Sequence, residues 1–279
     1  MHTQSIRPSA TELETFVLRV LTTSPMDVEL QQATLNGPAE GIHFPAKLWR
    51  KLAAHGFLHR FMPSICAADT PTNQLYCEDI AIAGYTMTRH HQSLGLTMTW
   101  VGQLLMCHFL RSLGTQNLTD TQKILNGDSL CALAISEPNV GAHPKHLRCS
   151  AIKERDTYII NGEKAFVSHG PYADCFIVLA ITEQKQGRNY FSAFLVPANT
   201  SGLQRMPAQP IKGLQPSSHC NIVFRDCQVS SSSLLGTPGH AFEEISLPMR
   251  TLEDSLMLAP IAGAMQAQLD YLARASSAC

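Results

Sequence analysis

The chain has 279 residues, with 21 Lys plus Arg against 22 Asp plus Glu and a formal net charge of −1. That balance, without a basic run, argues against nucleic-acid binding, and no apolar stretch reaches the roughly 20 clean residues of a membrane span. The start Met1-His2-Thr3-Gln4 has neither the basic nor the apolar region of a secretory leader, so a cytoplasmic protein is expected.

Helix punctuation runs through residues 1–128, read as an N-terminal helical domain. Thr11 with Glu14 has capping-box spacing, Pro45 can open a helix over 46–55, and Gly56 can close it. A long apolar helix is expected over about 96–113, interrupted by Gln103 and His108 and ended by Gly114. Thr119 and Gln122 form a second candidate capping box before Gly127.

From Leu130 the texture changes to short runs of Ile, Val, Phe and Tyr separated by Pro, Gly and Asn, which predicts a β-domain over 129–236. Asn161-Gly162 suits the two central positions of a type I′ turn, so two strands are expected to fold back there. Further strands are expected near 175–181, 191–196 and 221–224. Over 237–279 helix signals return, with a short helix at 240–246 and a longer one at 249–275 that Pro260 should disturb. The fold class is therefore α+β: an N-terminal helical domain, a middle antiparallel β-domain and a C-terminal helical segment.

Nine cysteines without a CxxC pair read as reduced core thiols, and twelve histidines without HExxH or Cys/His spacing argue against a metal site. More informative are two segments that each carry a hydroxyl at a strand end, 134–141 (AISEPNVG) and 161–168 (NGEKAFVS). A lone serine at such a place is most often a turn or cap residue. Together, however, the segments resemble the Thr/Ser-Glu-Pro-Gly-x-Gly loop and the Asn-Gly-x-Lys-x-Trp/Phe-Ile-Thr/Ser strand of acyl-CoA dehydrogenases. The likeness extends from Leu52-Ala53-Ala54-His55-Gly56-Phe57 through Leu113-Gly114-Thr115 and Lys212-Gly213-Leu214 to Val223-Phe224-Arg225-Asp226-Cys227-Gln228-Val229.

This resemblance implies an FAD-dependent enzyme that removes the α-proton of an acyl-CoA or other acyl thioester while hydride leaves the β-carbon for the flavin. It also implies an electron-transfer flavoprotein or similar acceptor, and a homo- or hetero-oligomer. By resemblance, Leu133, Ile135, Ser136, Gly141, Phe166, Val167 and Ser168 meet the cofactor. Ser136 serves the pyrimidine edge, Ser168 reaches N5, and Phe166 covers the ring face. Glu253 matches a minority arrangement in which the base sits on the first helix of the C-terminal domain. The competing account is an ordinary exposed helix acid beside Asp254.

Two departures bear on substrate. Where the family has a hydroxyl the sequence has Ala142, followed by His143, and Asp254 replaces an arginine. Arg250 lies one turn before Asp254, where it can pair with it or stand in for the lost guanidinium toward substrate. The family's C-terminal helices are expected to be only begun here. Alternatives are a catalytically silent or partner-dependent subunit, and a flavin monooxygenase or nitroalkane-oxidising relative.

Overall fold

The computed structural model describes residues 8–23, 44–62, 75–114 and 118–277. Cys66, Thr115 and Cys279 lie outside them. The order is α1 (Ala10–Thr23), α2 (Ala46–Ala54), α3 (Cys77–His91), α4 (Leu94–Ser112), α5 (Leu118–Leu125), a β-sheet, and α6 (Leu247–Ser277). The α+β reading holds.

Helix ends follow capping chemistry, with two shifts from expectation. Ser9 Oγ accepts from Glu12 N at 3.3 Å while Glu12 Oε2 accepts from Ser9 N at 2.7 Å. The capping box thus lies two residues before Thr11 and Glu14, because the helix already runs from Ala10 and Thr11 is inside its first turn. The second expected box fails for the same reason, since α5 begins at Leu118 and Thr119 is helical. Gly56 does close α2: at φ 76° its N–H reaches Ala53 O at 2.8 Å, and Phe57 N reaches Leu52 O at 3.0 Å.

Helix α4 is apolar nearly all round and buried on most sides, packing against α5, α6 and the first strand. Helix α6 continues through Pro260 instead of breaking. The ring seats against Gly84 of α3, where a Cβ would lie 2.9 Å from Pro260 Cγ, so close packing offsets the lost backbone bond.

The sheet holds β1 (Cys131–Ala134), β2 (Ser150–Glu154), β3 (Thr157–Ser168), β4 (Cys175–Lys185), β5 (Arg188–Pro197), β6 (Leu203–Arg205), β7 (Gln209–Pro210), β8 (Ser218–Ser230) and β9 (Leu234–Leu235). Its order is β6-β8-β3-β2-β4-β5-β9, with β1 parallel to β4 and β7 paired to β8. It is mixed and mostly antiparallel. Alternation along β4 sends Ile177, Leu179 and Ile181 into the helix-facing core, and Phe176, Val178 and Ala180 into a second core. Tyr158 on β3 packs on Phe194 of β5 at 4.8 Å between ring centroids, so the sheet bends over on itself to enclose that second core.

The expected turn at Asn161-Gly162 is not formed. Strand β3 runs straight through it, and the reversal falls at Arg155-Asp156, with Glu154 opposite Thr157. Gly162 at φ 140° instead sits at an irregularity against β8, where a Cβ would press on Cys149 at 2.7 Å from its Cα. Asn161 is held by Asp226, accepting from its backbone N at 2.8 Å and donating to its carboxylate at 3.1 Å. A positive-φ turn is found at Gln186-Gly187, φ 49° and 74°, between β4 and β5.

Candidate functional site

The two motif segments meet because of a buried ion pair. Lys164 is fully buried, and its Nζ lies 3.0 Å from Glu137 Oε1 and 3.0 Å from the Ile135 carbonyl. Glu137 also accepts from Arg148 N at 2.7 Å and Cys149 N at 2.9 Å. Each charge therefore has hydrogen-bond partners, the condition under which a buried ion pair is tolerated. Ala165 N adds a bond to Ser136 O at 2.8 Å, fixing the loop after β1 to β3. The loop itself turns at Asn139 and Gly141, with φ of 65° and 60°, and Glu137 and Gly141 exchange two backbone bonds.

A second clamp docks β1 on α4. Gln103, wholly buried, donates to Cys131 O and accepts from Cys131 N, both at 2.9 Å. This side chain reads in the sequence as an interruption of an apolar helix; it is the anchor of the strand that leads to Ser136.

Between these elements lies a cavity of about 580 Å³, within the range of about 300–1,000 Å³ common for small-molecule sites. Of the residues singled out in the sequence, Leu133, Ile135, Ser136, Ala142, Phe166, Ser168, Arg250 and Glu253 line it. Gly141 shapes the loop without lining the cavity, and Val167 is buried in the second core. Met98 and Gly102 of α4 line it too, whereas the sequence reading missed Met106 of α4, Phe242 in the turn before α6 and Met249 in the first turn of α6. Helical apolar periodicity alone does not distinguish such lining from ordinary core.

The lining combines apolar side chains with the polar groups of Ser136, Ser168, His169, Arg250 and Glu253. Phe166 is 65% exposed although large and apolar, and it lies on the cavity wall. Its φ of 52° marks the bulged position of β3, where two residues oppose one of β8. Asn221 props the bulge, accepting from Phe166 N at 3.4 Å and donating to Glu163 at 3.0 Å.

Glu253 is half-buried on α6, and burial first, then the neighbouring Asp254, raises its carboxyl above the usual range. Arg250 is exposed and lies 4.0 Å from Asp254, the expected i,i+4 pair. His169 also lines the cavity; its burial, with His219 beside it, lowers its pKa to about 3, so the ring is neutral at ordinary pH. Among the described residues no group of His, Cys, Asp and Glu could hold a metal, and no helix is long and apolar enough to cross a membrane. Cys107, Cys131, Cys149, Cys220 and Cys227 are buried free thiols, whereas Cys77 is exposed.

Residues 132–227 match the family model described as acyl-CoA dehydrogenase, middle domain. An acyl-CoA dehydrogenase of Bacillus subtilis (strain 168) is 30% identical over 209 residues, which are 71% of this chain and 52% of that protein. The chain belongs to the acyl-CoA dehydrogenase family. It spans about half the length, or less, of the curated relatives it matches. The fold is shared with butyryl-CoA dehydrogenase from Megasphaera elsdenii (TM-score 0.77, 21% identity, covering 95% of this chain and 69% of that one). It is also shared with the prolyl acyl carrier protein oxidase AnaB (TM-score 0.79, 21% identity, 97% and 69%) and with an FAD complex of PigA (0.75, 24%, 97% and 70%).

Proposed function

We propose that the chain is an acyl-CoA dehydrogenase-like flavoprotein that carries out α,β-dehydrogenation of an acyl thioester. The observation that carries this reading is the single cavity shared by Glu253, Phe166 and the two strand-end hydroxyls of Ser136 and Ser168. The residues present fit FAD: a large exposed aromatic ring offers a face for a flat ring system, and two hydroxyls offer hydrogen bonds to a polar edge. Bound there, FAD would supply the two-electron acceptor for the reaction.

The chain's own part is acid–base and positional. Glu253 accepts the α-proton on its carboxylate, and burial, with Asp254 beside it, raises its pKa and so strengthens it as a base. Apolar walls from Met98, Met106, Leu133, Phe242 and Met249 exclude water and take the acyl chain. Arg250 and His143 stand on the cavity lining where an anionic carrier group can be met, while Ala142 offers no hydroxyl. An electron-transfer flavoprotein or similar protein completes the cycle as external acceptor.

A partner-dependent form of the same activity is favoured by one observation. Leu258, Met265, Leu269 and Leu272 of α6 are each more than half exposed and share one side of the helix, an apolar face that a second chain would cover. Anaerobic addition of FAD and then of mixed acyl-CoAs tests the proposal. Bound flavin whose visible absorbance bleaches supports it; absence of flavin binding at micromolar concentrations, alone and in any oligomer found by sedimentation, refutes it.

A further inference from the structure

Ser168 is not left to choose its own orientation. It stands opposite His219 in the β3–β8 register, and the two side chains touch, Ser168 Oγ lying 2.9 Å from His219 Nε2. The adjoining residues repeat the pairing in reverse: His169 N donates to Ser218 O at 2.8 Å, and His169 Nε2 lies 3.1 Å from Ser217 Oγ. The end of β3 is thus stapled to β8 on both sides.

His219 is 5% exposed, and its Nδ1 is buried without a hydrogen-bond partner among the described residues. That asymmetry decides where the ring proton sits. With the proton on Nδ1, an N–H would be buried unpaired, and the Ser168 proton would be used up in donating to Nε2. With the proton on Nε2, the ring donates to Ser168 Oγ and only a lone pair is left unmatched at Nδ1. Buried orphan N–H groups are the rarer and costlier defect. Burial also lowers the His219 pKa, which disfavours the doubly protonated ring.

We infer that His219 is a positioning residue: as the Nε2–H tautomer it donates to Ser168 Oγ and thereby turns the Ser168 O–H into the cavity as a hydrogen-bond donor. A bound cofactor then meets a fixed donor at that strand end, not a freely rotating hydroxyl. The direction of the O–H rests on this geometry alone; what it points at rests on the flavoprotein reading above.

The test separates the two. The full chain, labelled with ¹⁵N-histidine and free of flavin, is examined at pH 7 by long-range ¹H–¹⁵N correlation, with His219→Gln assigning the His219 signals by their loss. The expected pattern is a neutral ring protonated at Nε2; a ring protonated at Nδ1, or at both nitrogens, overturns the inference. Ser168→Ala should shift the His219 Nε2 resonance and speed exchange of its proton while the other histidines keep theirs. An unchanged His219 signal in that variant also overturns it. In FAD-loaded protein, His219→Leu should slow acyl-CoA-driven bleaching about threefold to tenfold with little change in KM, and His219→Gln, which restores an N–H donor, should recover most of it. Equal rates for Leu and Gln variants refute the positioning role. Failure of the wild-type chain to bind FAD counts against the proposed function and leaves the NMR result to decide the tautomer.

Discussion

Replacing Lys164 with Met removes a fully buried ammonium and leaves Glu137, 6% exposed, without its counter-charge. At 3.0 Å and an effective dielectric of about 20, the gross attraction is about 5–6 kcal/mol, most of which offsets desolvation of the two ions. Removing one member is costlier than removing both, because the remaining carboxylate keeps its desolvation penalty; a loss of about 3–5 kcal/mol is expected. The Ile135 carbonyl loses a 3.0 Å donor as well. Domains of this kind have about 5–15 kcal/mol in total, so the variant should unfold at markedly lower urea, followed by circular dichroism. Glu137→Gln together with Lys164→Met should cost less than the sum of the single changes, since neither ion is then stranded. A Lys164→Met loss below about 1 kcal/mol, or strict additivity in the double variant, would refute the view that this pair joins the two motif segments.

Glu253→Gln should lower the rate of acyl-CoA-driven flavin bleaching at least about a hundredfold, the usual scale for losing a general base; a loss under tenfold removes Glu253 from that role. The same variant has a stability signature. With its folded pKa raised, Glu253 binds its proton more tightly in the native state, so it lowers stability as pH rises from the unfolded carboxyl range through the folded value. Glu253→Gln should therefore be more stable than the parent at pH 7 and equal to it below about pH 4, as read by urea midpoints across pH. Gln103→Leu strands both the N–H and the carbonyl of Cys131, and should cost about 2–4 kcal/mol and abolish slow hydrogen exchange at the Cys131 amide. Gly263→Ala should cost about 1–3 kcal/mol in thermal unfolding, because its Cβ would press on the Tyr85 backbone carbonyl across the α3–α6 contact.

What the sequence made legible was whatever is written in local chemistry. Gly56 marks a real helix end, and β4, β5 and β8 appear where Ile, Val and Phe alternate with turns. The site residues emerged through two motifs whose cavity-facing members are close in sequence. What stayed hidden depends on partners far along the chain. Gln103 bonds Cys131, Lys164 bonds Glu137, and Ser168 bonds His219, across separations of 28, 27 and 51 residues. Nothing in residues 94–112 announces that one glutamine will grip a strand. The Asn161-Gly162 misreading has the same origin: the dipeptide does supply an unusual backbone conformation, but long-range pairing with Phe224 and Cys227 spends it on an irregularity within a strand.

That second strand carries two demands that a regular pleat cannot meet together. Lys164 has to point into the second core to reach Glu137, while Ser168 has to face the cavity, yet residues four apart on a regular strand share one face. The register shift between Lys164 and Val167 resolves the conflict by setting Ala165 and Phe166 together opposite Asn221, which reverses the alternation beyond them. Val167 then joins Lys164 on the buried side, and Ser168 swings to the cavity beside Phe166. The cost is a bulky residue at φ 52°, a conformation worth about 1–3 kcal/mol in strain that persists only where surrounding bonds over-determine it. Asn221 and the Ala165–Ser136 bond supply that constraint, and the ion pair anchors it from below. The strain, the ion pair and the hydroxyl are thus one construction, in which the stability of the strand end and the direction of the cavity-facing hydroxyl depend on the same few bonds.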